Sequence, residues 1–160
     1  MARRDKENYY LDIAETVLER STCQRRMYGA IIVLNDEIVA TGYNGAPRGR
    51  KNCGDTGGCT RDKLNIPSGE RYELCRSVHA EANAIISAAR RDMIGATLYL
   101  TGRNAKTGEL LDDTIPCSMC KRLIINAGIT KVVCRIGEDE FTSTPVRDWI
   151  FGDDSLPAAL

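Results

Sequence analysis

Histidine is almost absent from this chain, because His79 is the only one among 160 residues. Aromatic residues make up only 6% of the sequence, and the 22 basic residues balance the 22 acidic ones, so the net charge is zero. A general nucleic-acid binder carries a basic surface, often with aromatic rings on which bases stack. Both signals are missing here, and we therefore expect no nucleic-acid polymer among the partners of this protein.

Long apolar segments are missing as well. The longest purely apolar run, Ala30 to Leu34, is far too short to cross a bilayer, and charged residues stand where a signal peptide has its apolar core. Seven cysteines in such a chain indicate reduced thiols and metal ligands rather than a disulfide framework. We expect a cytoplasmic protein without a membrane partner. Its length predicts a single domain over residues 1–160, with a core at about 5–137 and a tail from about 152.

The hydrophobic pattern predicts an α/β fold in which helices alternate with strands. The expected elements are a helix at 5–20, strands at 28–34 and 37–43 joined by a turn at Asn35-Asp36, a helix at 78–91, a strand at 97–101, a helix at 117–127 ended by Gly128, a strand at 131–136, an edge strand at 141–146 and a helical turn at 146–151. Alternation of this kind implies parallel crossovers, so we expect a three-layer α/β/α sandwich around a mixed, mostly parallel sheet. The unpatterned residues 44–76 form a loop long enough to need a brace.

Two short motifs contain the residue types of a metal centre. They are His79-Ala80-Glu81 and Pro116-Cys117-Ser118-Met119-Cys120. One imidazole and two thiolates hold Zn²⁺ in three tetrahedral positions and leave the fourth to water. Glu81 lies two residues from His79 and is placed to move protons as the catalytic residue. This spacing is the signature of zinc-dependent base deaminases, and a redox cysteine pair beside an unrelated histidine is the alternative.

Beyond these motifs, the chain resembles the deoxycytidylate (dCMP) deaminase family from about Arg20 to Val133. The similarity includes Ser21-Thr22-Cys23 and the segments 28–33, 41–49 and 124–129, of which the glycine-rich 41–49 is the most discriminating. It implies a cytidine deaminase-like fold and hydrolysis of dCMP to dUMP and ammonia, which feeds thymidylate synthesis. Two alternatives are deamination of another free cytosine nucleoside or nucleotide, and a non-catalytic nucleotide-binding member of the fold.

The resemblance also implies roles for individual residues. Asn44 would bind the sugar hydroxyl, and Arg90 would reach the 5′-phosphate from the end of the His79 helix, although a plain turn and a solvated arginine are the alternatives. The remaining expected substrate contacts are Ala80, Arg26 and Pro116. An effector loop for dCTP or dTTP with Mg²⁺, in a homo-oligomer between dimer and hexamer, would contain Gly42, Tyr43, Gly45, Arg48 and Gly49. The inserted segment 102–115 brings Asp112 and Asp113 to the expected rim of the site, where acidic groups disfavour a phosphate.

Four other cysteines predict a second metal site. Cys53 and Cys59 lie in the long loop, Cys75 ends it, and Cys23 precedes the first strand. Four thiolates around one Zn²⁺ would form a structural site and supply the brace that this loop needs. Four unrelated free thiols are the alternative, because the spacing does not match a zinc finger. Cys134 lies in an apolar strand and is expected to be a small buried hydrophobic residue.

Overall fold

The structure is a computed structural model that describes residues 1–152. Its helices are α1 (Lys6–Leu18), α2 (Thr60–Lys63), α3 (Ala80–Ile86), α4 (Arg90–Met93), α5 (Ser118–Ala127) and α6 (Val146–Gly152). Its strands are β1 (Arg26–Leu34), β2 (Glu37–Tyr43), β3 (Thr97–Asn104), β4 (Lys131–Arg135) and β5 (Phe141–Pro145). The tail predicted from about residue 152 lies almost wholly outside the described residues. Within residues 1–152, no helix has the length and apolar character needed to span a membrane.

The five strands form one sheet in the order β2-β1-β3-β4-β5. Three of the four strand pairs are antiparallel, and only β3 and β4 run parallel. The prediction of a mostly parallel sheet is therefore wrong. The crossovers through α3 and α5 do join strands of the same direction, but β1 lies between β2 and β3 and is antiparallel to both.

Helix α1 covers one face of the sheet. The Asp5 carboxylate caps it by accepting a hydrogen bond from the Asn8 backbone N–H at 2.9 Å. The buried stripe of α1 contains Tyr10, Leu11 and Ala14. It packs against residues that β1, β3 and β4 direct to this face: Ile31, Val33, Tyr99 and Val133. Helical spacing in α1 and alternation in the strands thus produce a common apolar layer.

The other face is covered by α3, α4, α5 and α6, which completes three layers. The central residues of this second core are Ile32, Leu98, Leu100, Ile124, Val132 and Trp149. Gly42 allows α3 to lie directly on β2, because a Cβ at this position would stand 2.3 Å from the Ala80 carbonyl oxygen and 2.4 Å from the Ala84 nitrogen. The contact between β2 and α3 positions the first turn of α3, where the site begins.

Of three predictions about local structure, two are confirmed and one is wrong. The hairpin turn at Asn35 and Asp36 is confirmed, since both residues adopt the positive φ of a type I′ turn. The edge position of β5 is confirmed too, as Pro145 pairs with Lys131 at the end of the outermost strand. The single helix at 78–91 is wrong: α3 ends at Ile86, where the Ser87 hydroxyl donates to the Asn83 carbonyl, and a separate short α4 begins at Arg90.

Candidate active site

The first turns of α3 and α5 meet at one point beside the sheet. His79 is the residue that precedes α3, and Cys117 holds the same position before α5. The chain before α3 is fixed to the glycine-rich segment by two backbone hydrogen bonds between Gly45 and Val78, of 3.2 and 2.8 Å. Cys120 follows one turn into α5 and is fully buried. The two motifs, 38 residues apart, are thereby brought together.

His79, Cys117 and Cys120 form a set of metal ligands. The Nδ1 atom of His79 lies 3.5 Å from the Cys117 sulfur and 3.4 Å from the Cys120 sulfur. Tetrahedral zinc, at about 2.05 Å from nitrogen and about 2.3 Å from sulfur, holds such ligands roughly 3.6 Å apart. The three side chains therefore fit Zn²⁺. All three ligand atoms lie within 4.8 Å of one another, and no other three His, Cys, Asp or Glu side chains in residues 1–152 lie as close.

The electrostatics of this group favour a thiolate. The hydrogen bond from Cys120 lowers the pKa of Cys117 to about 4, with a further contribution from His79. The same pairing and burial raise the pKa of Cys120, because one proton is shared between two close sulfurs. Burial lowers the pKa of His79, but the hydrogen bond with Cys117 outweighs it and the net shift is upward. The Cys117 thiolate thus accepts a hydrogen-bonding proton from its neighbours, and a metal cation can take the place of that proton.

Glu81 lies beside the ligand set and has an unusual environment for a carboxylate. Its side chain is only 5% exposed, and burial raises its pKa above the ordinary value. It lines the same cavity as His79 and Cys117. A buried carboxyl group with a raised pKa can hold a proton and release it, which is the property required of a general acid and base.

Asn44 also lines this cavity, yet most of its side-chain capacity is used within the protein. Its Oδ1 accepts hydrogen bonds from the Ser21 hydroxyl at 2.6 Å and from the Tyr28 backbone N–H at 2.8 Å. Its Nδ2 donates to the Arg26 carbonyl at 2.8 Å. One of the two amide protons is left for a ligand. Asn44 therefore fixes the start of β1 whether or not it contacts a substrate.

The predicted basic residues divide into two groups. Arg26 lines the cavity, where its guanidinium contacts the Tyr28 hydroxyl at 3.4 Å and the Asp113 carboxylate at 3.3 Å. Arg90 is not brought to the cavity, because α3 ends before it and its Nε donates to the Asn126 carbonyl at 2.7 Å. Asp113 of the inserted segment pairs with Arg26 but does not itself line the cavity.

The other predicted contacts have mixed positions. Ala80 is fully buried under Gly42, and Pro116 is buried just before Cys117, so neither side chain lines the cavity. Within the expected effector loop, Gly42 and Gly45 are packed against α3 and Thr22. Its outward residues are Tyr43, Arg48 and Gly49, and a Cβ added at Gly49 would meet nothing within 4 Å.

The four cysteines of the predicted second metal site all line this cavity. They are Cys23, Cys53, Cys59 and Cys75. Burial raises the pKa of the Cys53 thiol, and the other three sulfurs raise it further, which shows that the four lie near one another. They do not form a set as close as that of His79. Cys134 is buried in β4, as expected.

Sequence reasoning missed several residues of the cavity wall. Arg61 and Tyr72 come from the long loop, Tyr28 from β1 and Ile115 from the inserted segment. The loop has no hydrophobic period from which an inward-facing residue could be read. The one available signal was proximity in sequence, because Arg61 follows Cys59 by two residues and Tyr72 precedes Cys75 by three.

Comparison with known proteins places this site in a family. A family model described as the cytidine and deoxycytidylate deaminase zinc-binding region matches residues 4–136. A deoxycytidylate deaminase of Mycobacterium phage D29 is 38% identical over 138 residues, which cover 83% of this chain and 96% of the phage protein. A deoxycytidylate deaminase of Schizosaccharomyces pombe is 36% identical over 127 residues, but these span only 36% of the yeast protein.

A solved structure agrees with the fold. The dCMP deaminase of cyanophage S-TIM5, in complex with dCMP and dUMP, superposes with a TM-score of 0.57 at 28% identity. The match covers 84% of this chain and 84% of the phage chain. The mixed sheet with helices on both faces is thus the cytidine deaminase-like fold that the resemblance implied, with one parallel strand pair.

Proposed function

The chain belongs to the cytidine and deoxycytidylate deaminase family, and on that premise we propose that it hydrolyses dCMP to dUMP and ammonia. The observation that carries this proposal is one cavity lined by His79, Cys117 and the buried Glu81, with Cys120 behind them. The phage relative, of nearly the same length and named for dCMP, supports the choice of substrate. The product dUMP would enter thymidylate synthesis.

We assign the catalytic metal to the three side chains that fit it. His79 would supply Nδ1, and Cys117 and Cys120 their thiolates. Zinc in such a site lowers the pKa of water to about 7, so that hydroxide is available at neutral pH. The thiolates lie at or within the first turn of α5, where the positive end of the helix stabilises their charge.

Glu81 is proposed as the group that moves protons. Burial raises the pKa of its carboxyl group, which makes the protonated form accessible during turnover. It would take one proton from the attacking water and hand it to the ring nitrogen of the base. It would then take the second proton from the new hydroxyl group on the attacked carbon and give it to the departing amine, which leaves as ammonia. No other carboxylate in residues 1–152 is both buried and part of the cavity wall.

Substrate recognition is proposed for the residues around this centre. Asn44 has one amide proton left for the sugar hydroxyl, and the main chain at Ala80 and Pro116 lies next to Glu81 and Cys117. Arg26 is the predicted cation that the fold does bring to the cavity, so we assign the 5′-phosphate to it. Its pairing with Asp113 is exposed and weak, and a phosphate can compete for the guanidinium.

We further propose that Cys23, Cys53, Cys59 and Cys75 bind a second, structural zinc. The position of all four cysteines along one cavity and the need of residues 44–76 for a brace support this site. Metal analysis should find about two Zn²⁺ per chain, with one lost in Cys53→Ser and the other in His79→Ala. A single Zn²⁺ per chain that Cys53→Ser leaves in place would refute it. All seven cysteines are free, and we infer a reducing, cytoplasmic environment.

Regulation is proposed at the exposed part of the glycine-rich segment. Tyr43, Arg48 and Gly49 face outward and could contact dCTP or dTTP with Mg²⁺ in a homo-oligomer, from dimer to hexamer. The dependence of the dCMP rate on each triphosphate, with and without Mg²⁺, tests the effector. Arg48→Ala should remove the response and leave the basal rate unchanged. Light scattering at several concentrations tests the assembly.

The function is tested by ammonia release from dCMP, CMP, deoxycytidine, dCTP and adenosine. We expect dCMP to give the highest kcat/KM. Glu81→Gln should keep the catalytic zinc and lower kcat at least about 100-fold, because general acid–base catalysis is worth about 10²–10⁴. Activity on none of the cytosine compounds would refute the proposal and favour a nucleotide-binding protein. Loss of the zinc in Glu81→Gln would make Glu81 a ligand instead.

A further inference from the structure

Three side chains form a stack that ends on a metal ligand. The guanidinium carbon of Arg61 lies 4.6 Å from the centroid of the Tyr72 ring. Tyr72 also meets the imidazole of His79, with centroids 4.6 Å apart and ring planes at 88°. A perpendicular arrangement at this distance is favoured electrostatically, because the positive edge of one ring faces the negative face of the other.

Arg61 is held in this stack although it lacks an acidic partner. Its side chain is 6% exposed, and no Asp or Glu carboxylate in residues 1–152 forms an ion pair with it. Its Nη2 donates to the Pro67 carbonyl at 2.8 Å, and its buried Nε finds no hydrogen-bond partner among the described residues. The ring of Tyr72 and the Pro67 carbonyl thus stabilise this buried charge together, and cation–π attraction is strongest where water is excluded.

His79 is a ligand in need of such support. It precedes α3 with an extended backbone, so the helix does not fix its side chain. A metal-binding histidine normally donates its second ring N–H to a carboxylate or carbonyl, which sets the orientation of the ring. In residues 1–152 the hydrogen bonds of the His79 ring all involve Nδ1 and the two cysteines. Among the described residues, the contact with the Tyr72 ring is the one aromatic contact of the His79 imidazole, and it can restrict the ring where no such hydrogen bond does.

We propose that Tyr72, backed by Arg61, is the positioning residue that orients His79 for the catalytic zinc. This inference rests on the proposed function, since it requires that His79 bind the metal. Tyr72 belongs to the turn Tyr72–Leu74 that ends at Cys75, one of the four loop cysteines. Order in the cysteine-rich loop is thereby transmitted to the zinc ligand through a ring contact.

The test compares Tyr72→Leu with Tyr72→Phe in the full chain. Zinc affinity is measured by competition with a chromophoric chelator, and ligand geometry by the visible absorption of the Co²⁺-substituted protein. His79→Ala identifies the metal that belongs to this site. Tyr72→Leu should lower zinc affinity about 10-fold and change the Co²⁺ spectrum, as removal of an outer partner does. Tyr72→Phe should stay within about 2-fold of wild type, because the ring contact is kept.

Two further variants complete the test. Tyr9→Leu removes a half-exposed tyrosine from α1 on the opposite face of the sheet and should leave affinity and spectrum unchanged. Arg61→Met removes the cation behind Tyr72 and should weaken zinc binding about 3-fold. A folded Tyr72→Leu protein with wild-type affinity and spectrum overturns the proposal. If circular dichroism shows Tyr72→Leu to be unfolded, Arg61→Met decides, and an unchanged spectrum there also overturns it. If the zinc content of the wild-type protein is the same as that of His79→Ala, no zinc is bound at His79, and the proposed function is refuted instead.

Discussion

The substitution Gly42→Ala tests how the fold holds the catalytic helix. A Cβ at this position would lie 2.3 Å from the Ala80 oxygen and 2.4 Å from the Ala84 nitrogen. Ordinary contacts begin near about 3.4 Å, so α3 would have to move by roughly 1 Å. Both obstructing atoms belong to the backbone, and no side chain can turn away to make room. We expect a loss of about 3 kcal/mol in the free energy of unfolding, at the upper end of the range for overpacking.

The displacement of α3 should also lower the rate of the reaction. Ala80 lies between His79 and Glu81, and a misplacement of about 1 Å can cost about 100-fold in rate. Urea unfolding measures the stability, and the initial rate of ammonia release from dCMP measures the activity. Gly137→Ala is the matched control, because its added Cβ meets only the exposed Glu140 side chain and should cost under about 1 kcal/mol. A Gly42→Ala protein with wild-type stability and rate would refute the direct contact between β2 and α3.

Three other predictions address single side chains. Asn44→Ala should lower the free energy of unfolding in urea titrations by about 2–3 kcal/mol, because three internal hydrogen bonds are lost at about 1 kcal/mol each. It should also raise the KM for dCMP. A change in KM with no loss of stability would contradict the structural role of Asn44. Asp113→Ala should lower the KM about 2-fold at low salt by freeing Arg26, and an unchanged KM would show that the pair does not compete with substrate. Burial raises the pKa of Asp12, but hydrogen bonds from Arg4 and Arg135 outweigh burial and hold this pKa below its usual value. The ionised Asp12 therefore stabilises the fold above about pH 4, and this stabilisation is lost as the pH falls and the carboxylate is protonated. The difference in free energy of unfolding between wild type and Asp12→Asn should therefore become smaller in acid. If this difference stays constant from pH 7 to pH 3, the interactions of Asp12 with Arg4 and Arg135 are not its source.

The structure brings the predicted metal ligands together, and the information for this is local. The spacing of His79 to Glu81 and of Cys117 to Cys120 fixes which atoms share a helix turn, and both turns begin helices as the sequence indicated. The hairpin turn and the Gly128 stop of α5 are local in the same sense. The prediction for Arg90 depended on an unbroken helix, and the break after Ile86 places Arg90 against α5 instead.

Taken by itself, the sequence indicated the zinc ligands and the acid–base residue that we propose, and it determined most of the helices and strands, because each depends on residue type and short spacing. Only the tertiary structure decided that β1 lies between β2 and β3, which makes the sheet mostly antiparallel. It also decided that Arg26, Arg61 and Tyr72 reach the cavity while Arg90 does not. The physical reason is that these outcomes depend on contacts between distant segments. Strand order and loop packing are set by burial of the whole chain, and no short pattern records them.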